Sequence, residues 1–134
     1  MESRTERRER ENRESAIAKI DADTDAIYGA VLGNREQEYT LAETDATAYK
    51  DAGYAGAVPD SVQSWATAKG WTATQAADDI LATAAAWRSA QASIRAQRLA
   101  SKEAVRAAVD AAGVSTAMGA WAVFAVTTRG QLGI

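Results

Sequence analysis

Alanine constrains this chain more than any other residue, because it occupies 33 of the 134 positions. The larger apolar side chains (Val, Ile, Leu, Met, Phe, Trp and Tyr) together number 30. Alanine has the highest helix propensity, but it adds little volume to a core. The single proline and the absence of alternating β-branched runs also favour helices over strands. The chain is therefore predicted to be all-α, with closely packed helices around a thin core.

Glycine, proline and capping residues divide the chain into four predicted helices. Two are long, at about 15–52 and 72–112. A short helix at about 59–69 lies between them, and a C-terminal helix follows at about 115–128. The residues do not decide whether Gly33 and the asparagine after it break the first long helix.

The second long helix has the clearest start. Thr72 followed by Gln75 fits a capping box, and no helix breaker occurs before Gly113. Ser115 is then a candidate cap for the last helix. A helix over 72–112 exceeds the width of a compact globule of this chain length. We therefore expect an elongated helical hairpin or bundle.

The first 14 residues carry five arginines interleaved with five glutamates. Such spacing supports ion pairs along a helix and leaves no apolar face. We interpret residues 1–14 as a charged arm that is either a solvated helix extension or a segment docking on another subunit. Residues 15–134 are then expected to form a single helical domain.

Charge is unevenly distributed beyond the arm. Residues 15–60 have a net charge of −6, whereas residues 61–134 have a net charge of +3. Five basic residues share one flank of the second long helix, at positions Arg88, Arg95, Arg98, Lys102 and Arg106. We expect this basic flank to pair with the acidic first helix of the same chain, and pairing between subunits is the alternative.

Apolar spacing near the N-terminus suggests a contact face. Ile17, Ile20, Thr24, Ile27 and Val31 step by three and four, as in a coiled-coil seam. Two heptads are equally compatible with a helix packed inside its own bundle. The four tryptophans fit core and capping contacts, or anchors of an interface. The possible interface residues are therefore Ile17, Ile20, Ile27, Val31, Trp65, Trp87, Trp121 and Phe124.

Catalytic and metal-binding chemistry has little support in the sequence. Histidine and cysteine are both absent, which excludes disulfides, Cys/His zinc sites and thiol nucleophiles. Asp21-Ala-Asp-Thr-Asp25 resembles the start of a calcium loop, but Ala26 and Leu32 replace the required Gly and Glu. We predict no catalytic residue, no cofactor and no metal site, and we predict that the chain is not an enzyme.

Two further partner classes are not expected. The most apolar stretch, Met118–Val126, is too short to span a bilayer, so the sequence predicts a soluble protein without membrane contact. The sequence pI is near 5.0, and no aromatic residues are interleaved with the basic flank. Nucleic acid is therefore not expected as a partner.

The middle of the chain carries a family resemblance. Residues 53–59 read Gly-Tyr-Ala-Gly-Ala-Val-Pro and are followed by Trp65-Ala66, Gly70-Trp-Thr72 and Gln75-Ala-Ala-Asp78. This pattern resembles small Ala-rich helical proteins encoded among the tail genes of tailed bacteriophages. The likeness covers roughly residues 38–106, and neither the charged arm nor the segment after Gly113 belongs to it.

The resemblance implies a role in a phage particle and no catalytic residues. It implies a structural component near the tail or its fibres, made in the host cytoplasm and located in the virion. Its partners would be copies of itself, in a homo-oligomer, and other phage structural proteins. An assembly chaperone that is not retained in the particle is the alternative. A helical nucleic-acid-binding module is a third hypothesis.

Overall fold

The computed structural model describes all 134 residues, and these form helices without any strand. The predicted all-α class, with long and short helices, is confirmed. The helices are α1 (Arg4–Leu32), α2 (Glu36–Asp51), α3 (Asp60–Lys69), α4 (Ala73–Ala107) and α5 (Ala111–Leu132).

Tertiary contacts divide the chain into two compact units, where the sequence suggested one helical domain over 15–134. Unit 1 comprises Met1–Gly33 and Gln91–Ile134, and unit 2 comprises Asn34–Ala90. Helix α4 contributes its first half to unit 2 and its second half to unit 1.

The first predicted long helix is two helices, α1 and α2. Gly33 ends α1 with φ 55° and ψ −131°, a conformation open to glycine because it lacks a Cβ. Its N–H donates to the carbonyl oxygen of Gly29 at 2.9 Å. The break that the residues left undecided is therefore present, and it coincides with the boundary between the units.

The charged arm forms the first turns of α1. Ser3 caps the helix in a reciprocal capping box: its hydroxyl accepts from the N–H of Glu6 at 3.0 Å, and its own N–H donates to the Glu6 carboxylate at 2.8 Å. Arg10 forms ion pairs with Glu2 and Glu14. Most of the arm is exposed in the isolated chain.

Local capping correctly predicted the start of α4 and the extent of α3. The Thr72 hydroxyl accepts from the Gln75 N–H at 3.1 Å, and the Gln75 side chain accepts from the Thr72 N–H at 3.0 Å. Pro59 lies at the N-cap of α3 rather than in its first turn. Gly70 ends α3 in the left-handed conformation, with φ 67°.

The predicted boundary between the last two helices was wrong. Helix α4 ends at Ala107 instead of 112, and α5 begins at Ala111 instead of 115. Asp110, not Ser115, is the N-cap, and its carboxylate accepts from the Gly113 N–H at 2.9 Å. A Cβ at position 113 would lie 3.1 Å from the Ala108 Cβ. Gly113 therefore permits a tight turn between helices rather than ending one.

Each unit has its own small core. In unit 1 the buried cluster is Ala16, Ile20, Val105, Val114, Trp121 and Ala125. In unit 2 it is Ala46, Tyr49, Val62, Ala66, Ala76 and Ala77. Alanine dominates the second cluster, which bears out the thin core expected from composition. Small cores of this kind stabilise a fold only marginally.

Candidate interaction surfaces

The aspartates that resembled a calcium loop lie on α1 and bind other side chains of unit 1. Asp21 accepts from the Lys102 ammonium at 2.9 and 3.0 Å, and it also forms an ion pair with Arg98. Asp23 accepts from the indole N–H of Trp121 at 3.0 Å. No group of three or more metal-ligating side chains is assembled anywhere in the chain. These carboxylates fasten α1 to α4 and α5.

Ionisation of both carboxylates is favoured by these partners. The hydrogen bond from Lys102 holds the pKa of Asp21 below its ordinary value. Burial by itself raises the pKa of Asp23. The hydrogen bonds from Lys19 and Trp121 outweigh burial, and the net pKa of Asp23 is lowered. Neither group is therefore tuned towards proton exchange near neutral pH.

The basic flank of α4 is mostly neutralised within each unit. Arg98 and Lys102 pair with Asp21 in unit 1, and Arg88 pairs with Glu43 of α2 in unit 2. The predicted pairing within the chain is confirmed at these three positions. Arg106 forms its ion pair with Glu103 of the same helix. The flank therefore offers little free positive charge for phosphate groups.

The isoleucine seam of α1 is covered by its own unit. Ile20 and Ile27 are 0% and 1% exposed, whereas Ile17 and Val31 are half-buried. Thr24 is also buried, and its hydroxyl donates to the Ile20 carbonyl at 2.9 Å. Of the two interpretations of this seam, the structure favours a helix packed inside its own bundle.

The aromatic candidates serve local packing. Trp121 is 1% exposed, and its ring centre lies 5.7 Å from that of half-buried Phe124. Half-buried Trp65 donates its indole N–H to Asp79 at 2.8 Å and packs edge-to-face on Trp71. Trp87 is half-buried in unit 2. Each of the eight predicted interface residues is thus buried or half-buried in the isolated chain.

Helix α5 carries an apolar face that the sequence reasoning missed. Six exposed residues, the outer seam, follow steps of four, three, four, three and four: Ala112, Thr116, Gly119, Val123, Val126 and Gly130. Val123 and Val126 are 69% and 72% exposed. The other side of α5, the inner seam, has the same steps and is buried or half-buried: Val114, Met118, Trp121, Ala125, Thr128 and Leu132. The spacing of both seams was visible in the sequence.

Two glycines of the outer seam face open space. A Cβ built on Gly119 or Gly130 would meet no other atom within 4 Å. Glycine inside a helix costs about 1 kcal/mol relative to alanine. The outer seam therefore carries a destabilising residue without any packing benefit inside this chain.

Helix α5 is also long and apolar enough to cross a membrane, by length and composition only. It has 22 residues, and 28% of its most apolar stretch is buried. This helix is longer than the stretch Met118–Val126 on which the expectation of no membrane span rested. Its inner seam belongs to the core of unit 1. The core helix of a protein that does not cross a membrane can be equally long and apolar.

Two shallow depressions lie on the surface of the units. One, of about 440 Å³, lies in unit 2 between α2 and Arg88, and the other, of about 400 Å³, lies in unit 1 between α1 and α5. Neither is a deep apolar pocket of the kind that encloses a small ligand. Comparison of the chain with family models, with curated proteins and with solved structures finds no match.

Proposed function

We propose that this chain is a non-enzymatic structural protein that acts through helix–helix contacts in an oligomer. The observation that carries the proposal is the outer seam of α5. It is apolar, exposed and free of charge from Ala111 to Thr128. A neutral helical face with small side chains suits close packing against another helix.

The polar side chains support a structural role. Asp21 and Asp23 bind Lys102 and Trp121, as described above. In unit 2, Asp78 accepts from the Tyr54 hydroxyl at 2.5 Å, and Asp79 accepts from the Trp65 indole. Each of these carboxylates holds one element against another. Catalytic acids and bases, in contrast, converge on a cleft that holds substrate.

The resemblance of residues 38–106 to helical proteins of phage tail genes supplies the biological setting of the proposal. The chain would then be a component of a phage particle, at the tail or tail fibre. Copies of the chain and neighbouring phage proteins would be its partners. The thin alanine-rich core of unit 2 supports the proposed association, because binding a partner adds burial that this unit lacks by itself.

Mass spectrometry of gradient-purified particles from a phage that encodes this chain tests the proposal. We expect the protein in the particles at a constant ratio to a known structural protein. A replication protein of the same phage is the control for contamination, and it should be lost on purification. Presence in the lysate with absence from the particles would overturn the structural role and favour an assembly chaperone.

A further inference from the structure

We infer that Trp65 and Trp71 of unit 2 form a binding site for a trimethylammonium group, such as that of choline. The two indole rings meet at an interplanar angle of 87°, with their centres 6.3 Å apart. The ammonium of Lys69 lies over both rings, 4.9 Å from the centre of Trp65 and 5.5 Å from that of Trp71. These two rings are named the tryptophan corner. A ligand site there is independent of the proposed role in an oligomer.

The position of Lys69 shows what the tryptophan corner attracts. A cation within about 6 Å of an aromatic ring centre is attracted by the negative face of the ring. Lys69 is exposed and takes part in no ion pair, although Lys19 and Lys102 both pair with aspartates. Its ammonium therefore occupies the corner as a ligand cation would, on a flexible stem that can move away.

The surroundings of the corner also favour a cation. The indole N–H of Trp65 donates to the Asp79 carboxylate at 2.8 Å, which orients the ring and increases the electron density on it. Lys69 lies in the last turn of α3, where the helix dipole places partial negative charge. Unit 2 holds eight acidic and four basic residues, a net charge of −4. All three features stabilise positive charge at the corner.

The corner is built by the fold of unit 2 and is open to solvent. Gly70 ends α3 in the left-handed conformation, and the Trp71 N–H then donates to the Ala66 carbonyl at 2.9 Å. These backbone features hold the Trp71 ring beside α3. Trp71 is 39% exposed and Trp65 is half-buried, so a ligand reaches both rings when Lys69 moves away.

A trimethylammonium group suits the corner better than a primary ammonium does. A lysine ammonium is compact and strongly hydrated, so contact with an apolar ring face costs it hydration. A trimethylammonium group carries the same charge on methyl groups that contact the rings directly, and aromatic side chains recognise quaternary ammonium groups in this way. Choline should therefore displace Lys69, whereas ethanolamine, a primary amine, should not.

Titration with choline chloride followed by NMR tests the site, because each tryptophan gives its own indole N–H signal. We expect choline to shift the signals of Trp65 and Trp71, with a dissociation constant in the millimolar range, because exposed cation–π contacts are weak. Buried Trp121 of unit 1 is the internal control, and its signal should not move. Unmoved signals of Trp65 and Trp71, or equal shifts of all four tryptophans, would overturn the inference.

The neutral carbon isostere of choline, in which a tert-butyl group replaces trimethylammonium, separates charge from apolar contact. The isostere has the same shape, so burial of apolar surface alone would bind it at least as tightly as choline. We expect its dissociation constant to be at least fivefold higher than that of choline. Equal binding of the two compounds would contradict a cation site.

Lys69→Ala removes the group that competes for the corner. We expect this variant to bind choline at least threefold more tightly than the wild type, because both ring faces are then free. Lys50→Ala is the matched control, since Lys50 is also exposed and lies in the last turn of a helix of unit 2. It removes the same charge and should leave the dissociation constant unchanged. If Lys69→Ala also leaves it unchanged, choline binds elsewhere and the inference fails.

Trp71→Leu removes one ring face and keeps an apolar side chain. We expect choline binding to weaken at least fivefold, whereas Tyr39→Leu, at an exposed aromatic residue of α2, should bind as the wild type does. Circular dichroism shows whether both variants keep the wild-type helicity. A folded Trp71→Leu variant with unchanged affinity would rule out the corner.

Vesicles distinguish the two sources of a trimethylammonium group, a lipid headgroup and a soluble choline compound. Cosedimentation of the wild type, but not of Trp71→Leu, with phosphatidylcholine vesicles would support the site and assign it to the lipid headgroup. Phosphatidylglycerol vesicles, which lack the ammonium group, are the control. Choline-dependent shifts of Trp65 and Trp71 without cosedimentation would support the site and assign it to a soluble compound. Cosedimentation without any choline-dependent shift would overturn the inference.

Discussion

The inner and outer seams of α5 have the same spacing and opposite environments. The inner seam contains Trp121, the largest side chain of the unit 1 core, whose indole N–H binds Asp23. The outer seam contains no side chain larger than valine. Any stripe along a helix has steps of three and four, so the spacing does not distinguish the two faces. Side-chain size and a polar partner distinguish the face that the chain covers itself.

The largest expected difference between the seams comes from truncating one apolar side chain of each. Trp121→Ala should reduce the free energy of unfolding by about 3–5 kcal/mol, because it opens a cavity and leaves Asp23 without its indole donor. Val126→Ala on the outer seam should change it by less than about 0.5 kcal/mol at concentrations where the chain is monomeric. Urea unfolding followed by circular dichroism measures both. Similar losses in the free energy of unfolding would show that both seams contribute equally to the stability of the isolated chain.

Acid should weaken the inner seam through Asp23. The pKa of Asp23 is lowered in the folded chain, so its stabilising contribution is complete above the unfolded pKa of about 3.9. That contribution is lost as the pH falls through the lower folded pKa. We therefore expect the free energy of unfolding to fall below about pH 4. Asp23→Asn should make this fall shallower.

Asp25→Asn is the control for this pH dependence. Asp25 lies on the same helix, two residues away, and is exposed. Substituting it should leave the steepness of the acid transition as in the wild type. If both variants flatten the transition equally, general charge effects rather than the contact of Asp23 with the inner seam cause the acid sensitivity.

The start of α4 was predictable from a local cap, whereas the equally local caps at Ser3 and Asp110 were missed. Thr72 and Gln75 form their capping box from residues three apart, so no distant contact is needed to recognise it. Gly113 misled the prediction, because a lone glycine resembles a helix stop. Its actual role depends on Asp110 and on the closeness of Ala108 across the turn. Gly33 stayed undecided because its conformation becomes apparent only in the folded chain.

The spacing of apolar residues identified helix faces that can pack, but it did not identify what packs on them. The seam of Ile20 and Ile27 was equally compatible with an interface and with a core, and only its burial within unit 1 separates the two. The outer seam of α5 was missed for a different reason. The predicted helix 115–128 excluded both of its ends, Ala112 and Gly130.

The smallest expected effect is a gain in stability from Gly119→Ala. Alanine in place of an exposed glycine inside a helix should add about 0.5–1 kcal/mol to the free energy of unfolding of the monomer. Gly29→Ala should add the same amount, because both positions have open space around the added methyl group. Chemical denaturation of dilute protein compares the two gains. If Gly119→Ala destabilises the dilute chain while Gly29→Ala stabilises it, the outer seam is already in close contact within a single chain. The difference between the two faces of α5 would then be lost.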